Sequence, residues 1–175
     1  MGEGWPVLGT TLVVGTTFGV VARQSGLQPL EIAGMSIFVF AGASQFAMVQ
    51  LLSEKAPTAI VIASVLFINL RHLLMATSLR AQVQALPLVG RLVAAFFLTD
   101  ESFAMATGHF RRGGRSLAYY FVFAVSLYVL WNLATLAGSR LAGRSAIRAA
   151  SASTSRSPRR SSASWCWRSA VRRTS

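Results

Sequence analysis

The chain has 175 residues, 53 % of them hydrophobic and 13 % charged, a balance that excludes an ordinary soluble domain and points to an all-α, polytopic transmembrane helical bundle. Its net charge of +12 is unevenly spread: residues 1–138 hold eight Lys and Arg against all five acids (+3), whereas residues 139–175 hold nine Arg and no acid (+9). Cys166 is the single cysteine, so no intrachain disulfide forms, and no Gly-x-x-x-x-Gly-Lys-Ser/Thr loop cradles a nucleotide phosphate, so transport would not run on this chain's own ATP hydrolysis.

MGEGWP opens the chain with an acid and no Lys or Arg, so the first apolar run lacks the positive start of a cleaved signal peptide and is expected to be retained. That run, residues 5–22, is just long enough to span, and its Gly15-x-x-x-Gly19 step predicts close approach of another helix. Pro29 starts a second span over residues 29–52. At its middle, FAGASQFA (40–47) sets small residues and the Gln45 amide at lipid depth, which fits either a close helix crossing or a broken helix lining a substrate cavity.

The third span, residues 58–79, carries Asn69, Arg71 and His72 inside an otherwise apolar run. The fourth, residues 92–108, has Asp100 and Glu101 at its centre. An ionised side chain at the middle of a membrane helix costs roughly 2.5–3.5 kcal/mol, so the acids need a polar cavity or a cationic partner, and the third span supplies one. On a continuous helix Glu101 projects about 100° further round than Asp100, so the two do not face the same point. A basic loop (His109, Arg111, Arg112, Arg115) precedes the fifth span, residues 117–137, where Tyr119 and Tyr120 are placed as interfacial anchors. Lys55, Arg111, Arg112 and Arg115 on one side stand against Arg23, Arg80 and Arg91 on the other, which sets no orientation.

FAGASQFA (40–47), NLRHLLMATSL (69–79) and FLTDESFA (97–104), in this order and spacing, resemble the three signature stretches of the AzlC family, the large subunit of branched-chain amino acid exporters. The resemblance runs over about residues 15–143. It implies a multi-pass inner (plasma) membrane permease, not an enzyme, that exports branched-chain amino acids by secondary transport together with a small hydrophobic AzlD-type subunit, with no cofactor. The residues matching the polar signature are Gln45, Asn69, Arg71, His72, Asp100 and Glu101. One departure is Val13, where the family often has a proline before the Gly15-x-x-Phe18-Gly19 pattern.

A carrier of zwitterionic amino acids needs an acceptor for the ammonium, donors for the carboxylate and an apolar pocket that measures the side chain. Asp100 or Glu101 suits the ammonium or a coupling proton; Arg71, Asn69 or backbone amides at a broken helix suit the carboxylate. Phe40, Phe46, Phe97 and Phe103, with Phe96, are expected to wall the pocket. A purely structural ion pair between Arg71 and Asp100 is the alternative, and His72 serves as a proton relay or a packed imidazole, since two histidines and one tail cysteine make no metal-ligand cluster. A non-transporting scaffold subunit is a second class. An intramembrane hydrolase using Ser44 with His72 is a third, disfavoured by the lack of a Gly-x-Ser-x-Gly elbow.

After residue 143, where the family continues with a Gly-Leu-Asp-Phe-type motif and further apolar helix, this chain turns to Ser, Arg and Ala. A disordered basic tail would bind anionic lipid or nucleic acid. An out-of-frame tail would bind neither, and the genetic code favours it. Ala150 to Ser155 written as GCC TCG GCC TCG ACT TCN reads Leu-Gly-Leu-Asp-Phe two bases later, and Ala163 to Arg168 yields Leu-Leu-Val-Leu-Ala in the same way. The expected arrangement is thus a transmembrane domain over residues 1–143 and a low-complexity, frameshifted tail over residues 144–175, with lipid and no nucleic acid as surroundings. Resequencing of the genomic DNA is expected to show an apolar continuation in the alternative frame downstream of Gly143; its absence from every frame refutes the frameshift.

Overall fold

The computed structural model describes residues 4–155, with side chains to residue 145. The described residues form helices and no strand: α1 (Gly4–Gln24), α2 (Pro29–Phe38), α3 (Gly42–Ser53), α4 (Thr58–Asn69), α5 (Arg71–Ser78), α6 (Arg80–Val83), α7 (Leu88–Phe96), α8 (Asp100–Arg111) and α9 (Leu117–Ser155). Gly4–Gln24, Thr58–Ser78 and Leu117–Ser145 are long and apolar enough to cross a bilayer. The helical bundle is as expected, but five continuous spans are not what the backbone shows. The second and fourth predicted spans are each broken in the middle, into α2 and α3 and into α7 and α8.

The chain divides into two units between Gly143 and Arg144, and the fold described below belongs to the first. α9 continues to Ser155, so residues 144–155, expected to be disordered, are helical. Their Ala and Arg content favours that state. The remainder of the predicted tail, residues 156–175, lies outside the described residues.

α1 is a self-contained helix. The hydroxyls of Thr10 and Thr11 both donate to the carbonyl of Val7, Thr16 donates to Leu12 and Thr17 to Val13, so no threonine needs a partner from outside. Gly15 and Gly19 lie against α9, where Ala134 and Gly138 repeat the same four-residue spacing. A Cβ built on Gly15 would stand 3.0 Å from the Ala134 Cβ, one on Gly19 would overlap the Thr135 carbonyl, and one on Gly138 would overlap that of Thr16. The two backbones therefore pack with nothing between them, as small-residue helix pairs do in membranes. Beside the crossing, Phe18 stacks on Trp131 at 6.0 Å and meets Phe46 edge-on at 5.3 Å, within a core that also holds Ala22, Ile32 and Val49.

The second core, around Leu79, Ala94, Leu98, Ala106, Tyr120 and Ala124, joins α7 and α8 to α9. Tyr120 is buried there and its hydroxyl donates to the Ala94 carbonyl at 2.6 Å, so it is a core residue and not the interfacial anchor its sequence position suggests. Tyr119 instead stacks on His109, with ring centroids 4.3 Å apart.

Because the α1–α9 crossing has no room for a side chain, Gly19→Leu is expected to lower the amount of folded protein recovered from membranes, whereas Gly9→Leu, whose Cβ meets nothing within 4 Å, is expected to leave it unchanged. Fluorescence-detected size-exclusion profiles of the two variants measure this directly.

Candidate functional site

The site begins with the breaks. α2 stops at Phe38, and Val39, Phe40 and Ala41 form a non-helical turn, closed by a 2.8 Å bond from Ala41 N to the Val39 carbonyl, before α3 restarts at Gly42. Such a break frees backbone groups that lipid cannot satisfy. Gln45, fully buried, answers part of the demand: its Nε2 donates to the carbonyls of Met35 at 3.0 Å and Val39 at 2.6 Å. Tyr128 of α9 reaches Ile37, its hydroxyl donating to that carbonyl at 3.2 Å. Gly42 lets Trp131 approach closely: a Cβ there would stand 3.0 Å from its Cη2.

The second break follows the same plan. α7 stops at Phe96, and Thr99 caps the start of α8: Ser102 N donates to Thr99 Oγ1 at 3.3 Å and Thr99 N donates to Ser102 Oγ at 2.8 Å, a reciprocal box. The Ser102 hydroxyl lies 3.0 Å from the Phe97 carbonyl, and Tyr120 serves Ala94 as Tyr128 serves Ile37. The sequence carries the correspondence. Phe40, Gln45, Phe46 and Ala47 match Phe97, Ser102, Phe103 and Ala104 at a constant offset of 57 positions, and the same offset relates Ile37 to Ala94. The Phe-x5-Phe-Ala repeat was the available signal for two equivalent broken helices.

Asp100 and Glu101 are thus the first residues of α8 and not the middle of a helix, which corrects the continuous fourth span. At a helix start they meet the positive end of the macrodipole, a stabilising placement for carboxylates. Both line one cavity, and as consecutive residues of α8 they still project about 100° apart, as expected.

That cavity, of about 330 Å³, is lined by Arg71, His72, Asp100, Glu101, Phe40 and Trp131 among others, and both breaks contribute to it through Ala41 with Gly42 and Thr99 with Asp100. Arg71 Nη1 lies 2.7 Å from Asp100 Oδ2. Arg71 follows an interruption at Leu70 between α4 and α5, where His72 Nδ1 stands 3.1 Å from the Asn69 carbonyl. A carbonyl only accepts, so a hydrogen bond there is donated by Nδ1.

Of the predicted site residues, Arg71, His72, Asp100, Glu101, Phe40 and Phe46 line the cavity. Gln45 does not; it holds the α2–α3 break. Asn69 sits at the neighbouring interruption with its Oδ1 buried and unpartnered. Phe97 and Phe103 are not cavity walls: both pack against the Tyr120 core, and Phe97 meets Tyr128 edge-on at 5.4 Å. Leu127 and Trp131 of α9 and Thr10, Thr11 and Val14 of α1 take those places on the wall. Ser44 is buried with its hydroxyl donating to Ala41, which gives the hydrolase alternative no Ser–His contact. Among the described residues no three His, Cys, Asp or Glu side chains form a metal-ligand group.

The family model for the AzlC protein matches residues 6–144. This chain belongs to the AzlC family. Members similar to it include an uncharacterized membrane protein of Archaeoglobus fulgidus, 39 % identical over 58 % of this chain and 44 % of that one. The inner membrane protein YgaZ of Escherichia coli is 33 % identical over 77 % of this chain and 56 % of its own length, and an uncharacterized membrane protein of Helicobacter pylori 26695 is 33 % identical over 73 % and 56 %. The chain therefore spans about half the length of the relatives it matches. No solved structure matches it. As an AzlC-family chain with three apolar helices of membrane length, it is a membrane protein.

Gln45→Leu keeps the volume of the side chain and removes both hydrogen bonds to the break in this AzlC-family chain. At about 0.5–1.5 kcal/mol for each, it is expected to destabilise the protein by roughly 1–3 kcal/mol, seen as a lower unfolding temperature in detergent while Gln50→Leu at the exposed end of α3 leaves it unchanged.

Proposed function

We infer that the protein is a component of a secondary transporter that exports branched-chain amino acids across the inner (plasma) membrane as a multi-pass permease, paired with a small hydrophobic AzlD-type subunit. It is a transporter component and not an enzyme. The observation that carries the reading is the Arg71–Asp100 pair, opened into an apolar-walled cavity between two broken helices. Discontinuous helices whose ends meet at a central cavity are how many secondary transporters bind substrate and coupling ion. The volume falls at the lower end of the range of small-molecule sites, about 300–1,000 Å³. Val14, Phe40, Phe46, Leu127 and Trp131 supply apolar surface for a branched side chain.

The AzlC resemblance supports the substrate class and the small subunit, and the printed name of the Escherichia coli relative supports the inner membrane. The sequence's lack of a phosphate-cradling loop favours an ion gradient over nucleotide hydrolysis.

Cells loaded with leucine, isoleucine or valine test this by efflux. Efflux is expected only when the chain is co-expressed with the small subunit. Asp100→Asn is expected to reduce it by tenfold or more, on the order of one charge-assisted hydrogen bond, at unchanged membrane abundance. Full efflux from both Asp100→Asn and Glu101→Gln would remove the assignment, and absence of efflux from every pairing would favour a scaffold subunit.

A further inference from the structure

Arg71 and Asp100 hold each other as they would hold the two ends of an amino acid. The contact is 2.7 Å, yet the side chains are 37 % and 49 % exposed and both line the cavity, so the pair satisfies two charges without sealing them from a ligand. An ion pair that only fixed two helices would be expected to satisfy its donors fully. This one leaves donors over. Arg71 Nε is buried without an acceptor, and so is Nε1 of Trp131, a cavity-lining residue only 7 % exposed. Beside them, Gly42 and Ala43 bring the first turn of α3 to the cavity, where no side chain caps its amides.

The two helix starts are equivalent in the repeat but opposite in character. Ala43 and Ser44 occupy the positions that Asp100 and Glu101 occupy at the other break. One start offers bare amides close to Arg71 and Trp131; the other offers two carboxylates. Arg71, the start of α3 and a carboxylate pair thus line a common space.

We propose that the cavity binds an α-amino acid as the zwitterion by exchanging its internal ion pair for two external ones. The ligand's carboxylate takes Arg71, supported by the start of α3, and its ammonium takes Asp100, supported by Glu101. The proposal rests on the transport reading above. No covalent bond changes: one ion pair opens and two form. The pair is neutral in the empty site and the zwitterion is neutral overall, so loading leaves the net charge of the site unchanged. A ligand with only one of the two charges strands either Arg71 or Asp100 without a partner, which opposes its binding.

The full chain in nanodiscs, with labelled leucine as probe, tests this by displacement with leucine, isoamylamine and 4-methylpentanoate, which share the branched carbon chain and differ in charge. The single-charge ligands are expected to compete about tenfold or more weakly than leucine, the loss of one charge-assisted contact. In Asp100→Asn the preference is expected to turn toward 4-methylpentanoate, and in Arg71→Gln toward isoamylamine, read by thermal stabilisation because labelled leucine binds these variants poorly. Equal competition by all three ligands in the unaltered protein, or unchanged preference in both folded variants, overturns the exchange while leaving the branched-chain reading in place. Glycine and alanine competing as well as leucine, with the inversion intact, overturns the branched-chain reading and leaves the exchange standing. Leucine that binds nowhere overturns both. The ligand series on the unaltered protein decides the proposal even if a variant fails to insert.

Discussion

The constraint on which this structure depends is that a helix opened at membrane depth releases carbonyls and amides that lipid cannot receive. Each break here is surrounded by side chains that receive them. Gln45 turns back onto Met35 and Val39, Ser102 lies against Phe97, and two tyrosines of α9 reach over to Ile37 and Ala94. α9 is therefore more than another span. It is the uninterrupted rod against which both interrupted helices are held, and its own Trp131 and Leu127 close the cavity between them.

Breaking the helices also changes the electrostatics. Asp100 and Glu101 in the middle of a regular helix would meet no backbone donors, since those are already used within the helix. At the start of α8 both sit at the favourable end of the dipole. Arg71, placed just beyond a smaller interruption, then needs no special reach to meet Asp100.

The sequence announced the bundle, the helix crossing and the polar groups because each is local: apolar run length, a Gly-x-x-x-Gly step, and ionisable residues inside hydrophobic segments. It placed Arg71 with Asp100 because at lipid depth few partners exist for either. It left the break unresolved at Gln45 and missed the one at Thr99, where Asp100 and Glu101 read as charges within a span although the Phe-x5-Phe-Ala repeat and the Thr-x-x-Ser cap mark the restart. Phe97 and Phe103 were consequently assigned to the wrong wall. Trp131 and Leu127 were not legible as cavity residues, since Ser126, Tyr128 and Asn132, the polar side chains around them in the fifth span, bond within the helix or to α2 and do not mark the side that faces the hollow.

The clasp between Gly15, Gly19, Ala134 and Gly138 joins the earliest helix of this unit to the latest. During synthesis α1 must therefore wait in the bilayer, unclasped, until α9 has emerged, and the cavity has no floor until then. The hydroxyls of Thr10, Thr11, Thr16 and Thr17, already bonded within their own helix, are what make the wait tolerable: α1 exposes no hungry polar group to lipid in the interval. Within this unit assembly is thereby ordered in time by the position of four small residues.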